Sequence, residues 1–258
     1  MILGVLQART SSSRLPRKVM LPMAGAPMLA RQIERLLRAN RLDKLVLATS
    51  DRVEDDCVAK LADAAGIDSY RGSLNDVLDR YYKAAAPHTP SHVVRVTGDC
   101  PLADWEVIDR TIAFAVEGGH DYASNTLKPT WPDGLDVEVV TFAALESAWR
   151  EAASPVEREH VMPFITSRPE RFRLGSVENR RDLSGMRWTV DEPRDYEFVC
   201  RVYDALHPRN PAFTTDDVLA LLQSQPELGM LNSGIVRNEG LLKSERAESR
   251  TVRNERHQ

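Results

Sequence analysis

Long apolar runs are missing from this chain of 258 residues, and none approaches the ~20 consecutive apolar residues that a membrane-spanning helix needs. The opening MILGVLQART has no basic region before its apolar run and no small-residue cleavage site after it, so it reads as a strand rather than a secretion signal. Cysteine is scarce. Cys57, Cys100 and Cys200 lie far apart without CxxC spacing, which speaks against a disulfide framework and a zinc site and for a reducing cytoplasm. Positive charge is not in excess either. A net charge of -4 argues against a general nucleic-acid binder and confines any basic patch to one locality. Neither GxxxxGK[ST] nor GxGxxG occurs, so the two best-known glycine-rich phosphate loops are excluded. What remains, 42% hydrophobic and 28% charged residues, suits one large soluble α/β domain.

The first half alternates two periods. Residues 2–6 and 44–50 are short apolar runs, and between them Leu29, Ile33, Leu36 and Leu37 fall on one helical face. Val58, Leu61 and Ala65 mark a second helix that stops at Gly66. A short strand at 69–71, a helix carrying Val77, Leu78, Tyr81 and Ala85, a buried strand at 92–99 and a helix at 104–117 follow. This β-α alternation predicts a mostly parallel central sheet covered by helices on both faces, with ligands beyond the carboxyl ends of its strands. The second half changes character. YASNT, GLDVEVVT, FRLGSVEN and MRWTVD read as strands of a smaller mixed sheet, with helices at 142–152, 156–168, 193–206 and 216–225. We expect one domain over 1–230, with a nucleotide-binding part at about 1–120 and an acceptor or dimer part at about 121–190. Residues 231–258, rich in Arg, Glu, Ser and Asn, are expected to form a flexible charged tail.

Against this background QARTSSSRLPRKVM, residues 7–20, stands out. Arg9, Arg14, Arg17 and Lys18 surround three serines directly after the first strand. Guanidinium groups grip phosphate oxygens in pairs, lysine adds a point charge, and the backbone N–H groups of a tight loop can cradle an anion. Charge alone favours a solvated basic turn with capping serines; the place after a first buried strand brings an anion site level with it. Two further runs, VTGDCP and RWTVDEP, end strands in Asp99 and Asp191. Such carboxylates can share Mg²⁺ with phosphate oxygens and water, or each can cap the helix announced by Pro101 or Pro193. The repetition favours the metal. Asp136 and Glu138 share one strand face after an Asp133-Gly134 turn, and His160 lies among acids in EREHV.

Taken in order, QARTSSSRLPRKVM, VLATS, YRGSLNDVLDRYY, VRVTGDCPL, YASNT, PDGLDVEV, EREHV and RWTVDEPRDYEFV resemble the SpsF-like cytidylyltransferases of spore-coat polysaccharide biosynthesis, relatives of CMP-KDO synthetase and the acylneuraminate cytidylyltransferases. The resemblance spans about residues 1–230. It implies a Rossmann-like nucleotidyltransferase fold of the glycosyltransferase-A type, and Mg²⁺-dependent transfer of CMP from CTP to a sugar acid or related acceptor, with release of pyrophosphate. It places Leu6, Gln7, Ala8, Thr97 and Gly98 along the nucleotide, Arg9, Arg14 and Lys18 on its phosphates, and Thr49, Ser50, Arg71, Gly72 and Ser73 about base and ribose. Asp99 and Asp191 would hold the metal, with Arg14, Lys18 and Asp99 as the catalytic set. Asn125, Asp133, Asp136, Glu138, Arg158 and His160 would face the acceptor. Relatives pair through the second-half sheet, so a homodimer is expected. Rival readings are a nucleotidyltransferase for a phosphorylated or phosphonate alcohol, a nucleotide-sugar glycosyltransferase, which lacks its Asp-x-Asp pair here, and a silent nucleotide-binding scaffold. The family loop, Gly-Ser-Thr-Arg-Leu-Pro-Gly-Lys, has Ser11 and Arg17 here in place of its glycines, so a positive φ at either position would be strained.

Overall fold

The computed structural model describes residues 1–235 and residue 237. The chain opens with β1 (Ile2–Gln7), passes through the basic loop and a small hairpin, β2 (Pro22–Met23) and β3 (Ala26–Pro27), and enters α1 (Met28–Leu36). β4 (Lys44–Ser50), α2 (Asp56–Ala64), β5 (Asp68–Gly72), α3 (Val77–Ala85), β6 (His92–Thr97) and α4 (Trp105–Gly118) continue the alternation. Then come β7 (Tyr122–Ser124), β8 (Glu138–Thr141), α5 (Phe142–Glu151), α6 (Pro155–His160), α7 (Pro163–Thr166), β9 (Leu174–Ser176), α8 (Pro193–Leu206) and α9 (Thr215–Ser224).

A seven-stranded sheet runs β5-β4-β1-β6-β8-β7-β9. Its strands alternate across the pleat, so Leu3 and Val5 pack with Leu78, Tyr81 and Leu145 on one face, while Leu6 packs with Leu29, Ile33 and Ile108 on the other. β4, β1 and β6 are parallel neighbours, yet the chain builds β4 on one side of β1 and β6 on the other. That reversal opens a crevice at the carboxyl ends of β1 and β6. Gln7 and Thr97 are register partners there, and Gly98 N–H donates to the Gln7 carbonyl at 2.7 Å. A Cβ on Gly98 would stand 2.8 Å from that of Ala8, so glycine lets the two strand ends converge.

The second-half strands extend the same sheet instead of forming their own, because β8 pairs antiparallel with β6 and then with β7. The small separate sheet is the β2–β3 hairpin. The helix expected over 156–168 divides into α6 and α7 at Val161 (φ 72, ψ −56), where Met162 N–H bonds the His160 carbonyl two residues back in a γ-turn, and Pro163 begins the next helix. MRWTVD forms no strand beyond a single bridge, Asp133 to Arg187. Its amides are satisfied by loops, with Trp188 and Thr189 donating to the Asp133 carbonyl and Val190 to that of Asp99. Of the tail expected from 231, all but 231–235 and 237 lies outside the described residues. Asn232 is buried and bonds the Arg187 carbonyl and Asp195. Among the described residues no helix is long and apolar enough to cross a membrane.

Candidate active site

A cavity of about 750 Å³ occupies the crevice at the strand reversal. One end of it is built from the basic loop and from two carboxylates, Asp99 just past β6 and Asp191 in the loop before α8, where the strand expected over MRWTVD does not form. Lys18 Nζ lies 3.2 Å from Asp99 Oδ2, 2.8 Å from Asp191 Oδ1 and 2.8 Å from the Val190 carbonyl, so all three ammonium protons are engaged. Arg14 Nη2 meets the other Asp191 oxygen at 2.8 Å. Burial by itself lowers the Lys18 pKa, but the two carboxylates outweigh it and hold the amine protonated above its usual value. Asp99 shows the mirror case. Burial pushes its carboxyl up, while the Lys18 charge and the Thr97 hydroxyl, 2.5 Å away, bring it down to about 2.

The loop settles the question raised by its lost glycines. Ser11 has an ordinary negative φ, but Arg17 sits at φ 57, in the left-handed region. Its guanidinium points away from the cavity toward Cys57 Sγ, 3.7 Å distant, and is exposed. Arg17 therefore bears backbone strain without a role at the site. Arg17→Gly should raise stability by roughly 1 kcal/mol in urea denaturation and leave nucleotide affinity unchanged.

The opposite end of the cavity is acidic and is organised by arginines. Arg187 bonds Asp133 (2.9 Å), Asp191 (3.3 Å) and both oxygens of Asp195 (2.9 and 3.0 Å). Gly134, at φ 108, lets this turn press on the 188–189 backbone. A Cβ there would lie 2.4 Å from Thr189 N. Asp136 is bonded by Arg237 at 2.6 Å. Burial, with Asp133, Glu138 and Asp99 nearby, outweighs Arg237 and pushes the Asp136 carboxyl up to about 7. Because this pKa is raised on folding, charging Asp136 costs stability as pH rises from about 4 through 7. Asp136→Asn should accordingly raise the melting temperature at pH 8, with the gain shrinking below pH 7. An equal gain at pH 5 and pH 8 would refute this. On the cavity floor, Glu138 accepts from Arg95, its register partner across β6 and β8, and from the Tyr122 hydroxyl at 2.6 Å.

Of the residues expected at the nucleotide, Gln7, Ala8, Arg9, Thr97 and Gly98 line the cavity with Arg14, Lys18, Asp99 and Asp191. Leu6 is in the apolar core. Thr49 and Ser50 are fully buried, and the Ser50 hydroxyl donates to Asp55. Arg71 is bonded to the Ser50 and Arg52 carbonyls and to Asp56, and neither it nor Gly72 and Ser73 borders the cavity. Of the acceptor set, Asp133, Asp136, Glu138 and His160 line it. Asn125 is buried behind it, with its amide clamping Leu135 and Val137, and Arg158 is paired with Asp76. Arg187, Arg95 and Tyr122 border the cavity without having been singled out. For Arg95 a signal existed, since a charged residue in the middle of the buried run HVVRVTGD needs a partner.

A cation-balanced, carboxylate-lined crevice at the strand reversal of an open α/β sheet marks a nucleotide-binding enzyme class. The cytidylyltransferase family model matches residues 3–225, and the chain belongs to this family; it is a nucleotidyltransferase. It is 32% identical to the spore coat polysaccharide biosynthesis protein SpsF of Bacillus subtilis over 233 residues, covering 88% of this chain and 95% of that one. A cytidylyltransferase structure from Leptospira borgpetersenii superposes with a TM-score of 0.86 at 30% identity, covering 92% of this chain and 99% of the other. A CMP:2-keto-3-deoxy-manno-octonic acid synthetase complexed with CTP shares the fold, with a TM-score of 0.61 at 17% identity over 79% of this chain and 98% of that one.

Proposed function

We propose that this enzyme transfers the cytidylyl group of CTP to a sugar acid or a related small acceptor, releasing pyrophosphate, in surface polysaccharide or glycan biosynthesis. One observation carries the reading: Arg14 and Lys18 of the basic loop meet Asp99, just past the carboxyl end of β6, and Asp191, in the loop before α8, where the sheet reverses its order. CTP in the synthetase of the same fold, and the polysaccharide role in the name of the Bacillus protein, support the nucleotide and the pathway class.

Among the described residues no group of three or more side chains is arranged to hold a metal ion. The pair Asp99 and Asp191 nonetheless fits Mg²⁺. The two carboxylates already converge on one cation, the Lys18 ammonium, and Mg²⁺ ordinarily takes only one or two carboxylates beside phosphate oxygens and water. When bound there, Mg²⁺ would neutralise phosphate charge. The chain's own groups do the rest. Arg9, Arg14 and Lys18 hold the triphosphate, and the Gln7–Ala8 and Thr97–Gly98 backbones flank the nucleotide. The Asp133, Asp136, Glu138 and His160 end orients the acceptor oxygen. That oxygen, giving up its proton to water where it enters as a hydroxyl, attacks the α-phosphorus, its new P–O bond replacing the bond to the β-phosphate, and pyrophosphate leaves with the electron pair. Positioning and charge stabilisation supply the acceleration, and no covalent enzyme intermediate is required.

The test is pyrophosphate release by the purified chain with CTP, Mg²⁺ and a panel of sugar acids and phosphorylated alcohols. Release that needs both CTP and a sugar acid is the expected result. Faster release from another nucleoside triphosphate would overturn the base assignment, and turnover of phosphorylated alcohols alone would overturn the acceptor class. The same reading expects one nucleotidyltransferase domain over 1–230 and a cytoplasmic location, and it expects a homodimer, which sizing of the purified protein checks.

A further inference from the structure

The basic loop is closed on a single atom. The Thr10 carbonyl accepts from Ser12 N–H at 2.9 Å and from Arg17 N–H at 3.0 Å, so both ends of the segment that carries Arg14 are tied to it. Thr10 is in turn held from behind. Its N–H and its hydroxyl both donate to Asp55 Oδ1, each at 2.7 Å. The other oxygen of Asp55 accepts from the Ser50 hydroxyl at the end of β4. Asp55 is 1% exposed and does not border the cavity. A buried carboxylate is costly unless its lone pairs are satisfied, and here three donors converge on it, two from Thr10 in the loop after β1 and one from Ser50 at the end of β4. The sheet does not need this clamp. β1 and β4 are already paired from Leu3 to Gln7, and Ala8 N–H continues the ladder to the Ala48 carbonyl.

We propose that Asp55 is a positioning residue for nucleotide binding. Through Thr10 it fixes the root of the basic loop, so that Arg14 and Lys18 face the strand reversal, and it couples that loop to the end of β4. The proposal rests on the reading that the loop holds a triphosphate. Only a carboxylate offers acceptors on both oxygens. An asparagine keeps Oδ1 for the two Thr10 donors and can turn its amide to Ser50, whose hydroxyl can also accept. Asp55→Asn is therefore the conservative variant, and Asp55→Ala the disruptive one.

Three measurements on the full chain test the role: amide hydrogen exchange at Ser12 and Arg17, CTP affinity by titration calorimetry with Mg²⁺, and thermal melting. Asp55→Ala should speed exchange at both amides and weaken CTP binding, each by about tenfold, with Asp55→Asn within about threefold of the parent in both. If Asp55→Ala does not fold, Thr10→Val deletes only the hydroxyl side of the clamp and should weaken CTP by about threefold or more. A folded Asp55→Ala protein with a lowered melting temperature but unchanged loop exchange and CTP affinity would overturn the proposal, as would unchanged affinity in Thr10→Val. The underlying reading fails separately. Arg14→Ala with undiminished CTP affinity would remove the triphosphate from the loop, whereas the exchange result at Ser12 and Arg17 needs no nucleotide at all.

Discussion

Asp99→Ala is expected to release pyrophosphate from CTP and acceptor roughly 10²–10³-fold more slowly than the parent, while remaining folded. Two parts of this residue act differently. Its backbone carbonyl accepts from Val190 N–H at 2.8 Å and from the Thr189 hydroxyl at 3.2 Å, and the substitution leaves both bonds in place. Its carboxylate faces the cavity, and there it contributes charge to the Lys18 ammonium. Removing it takes away one of the two anions that place that ammonium, and one of the two candidate metal ligands. The pH dependence gives an independent check. Folding lowers the Asp99 pKa to about 2, so the stability its charge contributes is present above about pH 4 and is lost as pH falls toward 2. Parent and variant should differ in unfolding free energy at pH 6 and converge near pH 2. A variant with near-normal turnover would refute the assignment of Asp99 to the chemistry.

Arg187→Met should give the largest loss of stability, about 3–5 kcal/mol in urea denaturation. Methionine keeps the unbranched stem of the side chain but leaves the carboxylates of Asp133 and Asp195 buried without their shared cation, Asp195 being fully buried. Asp195 cannot shed this cost by turning away, since it also accepts from the N–H groups of Asp191 and Glu192 at 3.0 Å at the start of α8. Adding Asp195→Asn to Arg187→Met should recover part of the loss, because it removes the stranded charge and keeps the shape. A loss below about 1 kcal/mol in the single variant would show that the three carboxylates are satisfied without the arginine.

Hydrophobic period made the first half of this fold legible. Leu29, Ile33 and Leu36 do face the core, and only Leu37, at the helix end, turns out to solvent. The mostly parallel sheet was legible as well, because strands that alternate with helices return in the same direction. The second half was harder to read. MRWTVD has the composition of a strand, but its amides are taken by the carbonyls of Asp133 and Asp99. No local pattern announces a partner some 50 to 90 residues away. The break at Val161 is equally silent, since valine is a poor candidate for a positive φ and only the neighbouring Pro163 hints at it. At the site, Asp99, Asp191 and the loop cations were visible as charge out of place, although the strand expected to end in Asp191 does not form. Asp55 was not, because an acid in EDDC reads as the opening of a helix.

The threefold engagement of the Lys18 ammonium has a bearing on how the protein behaves among polyanions in solution. Arg14 and Lys18 are matched by Asp99 and Asp191, so much of the positive charge that the loop shows in sequence is offset where the sheet reverses its order. The phosphates or sulfates of a polyanion drifting past must compete with two fixed carboxylates for Arg14 and Lys18. The loop thus discriminates by shape and reach before it attracts by charge, and retention on heparin should be weak at all but the lowest ionic strengths.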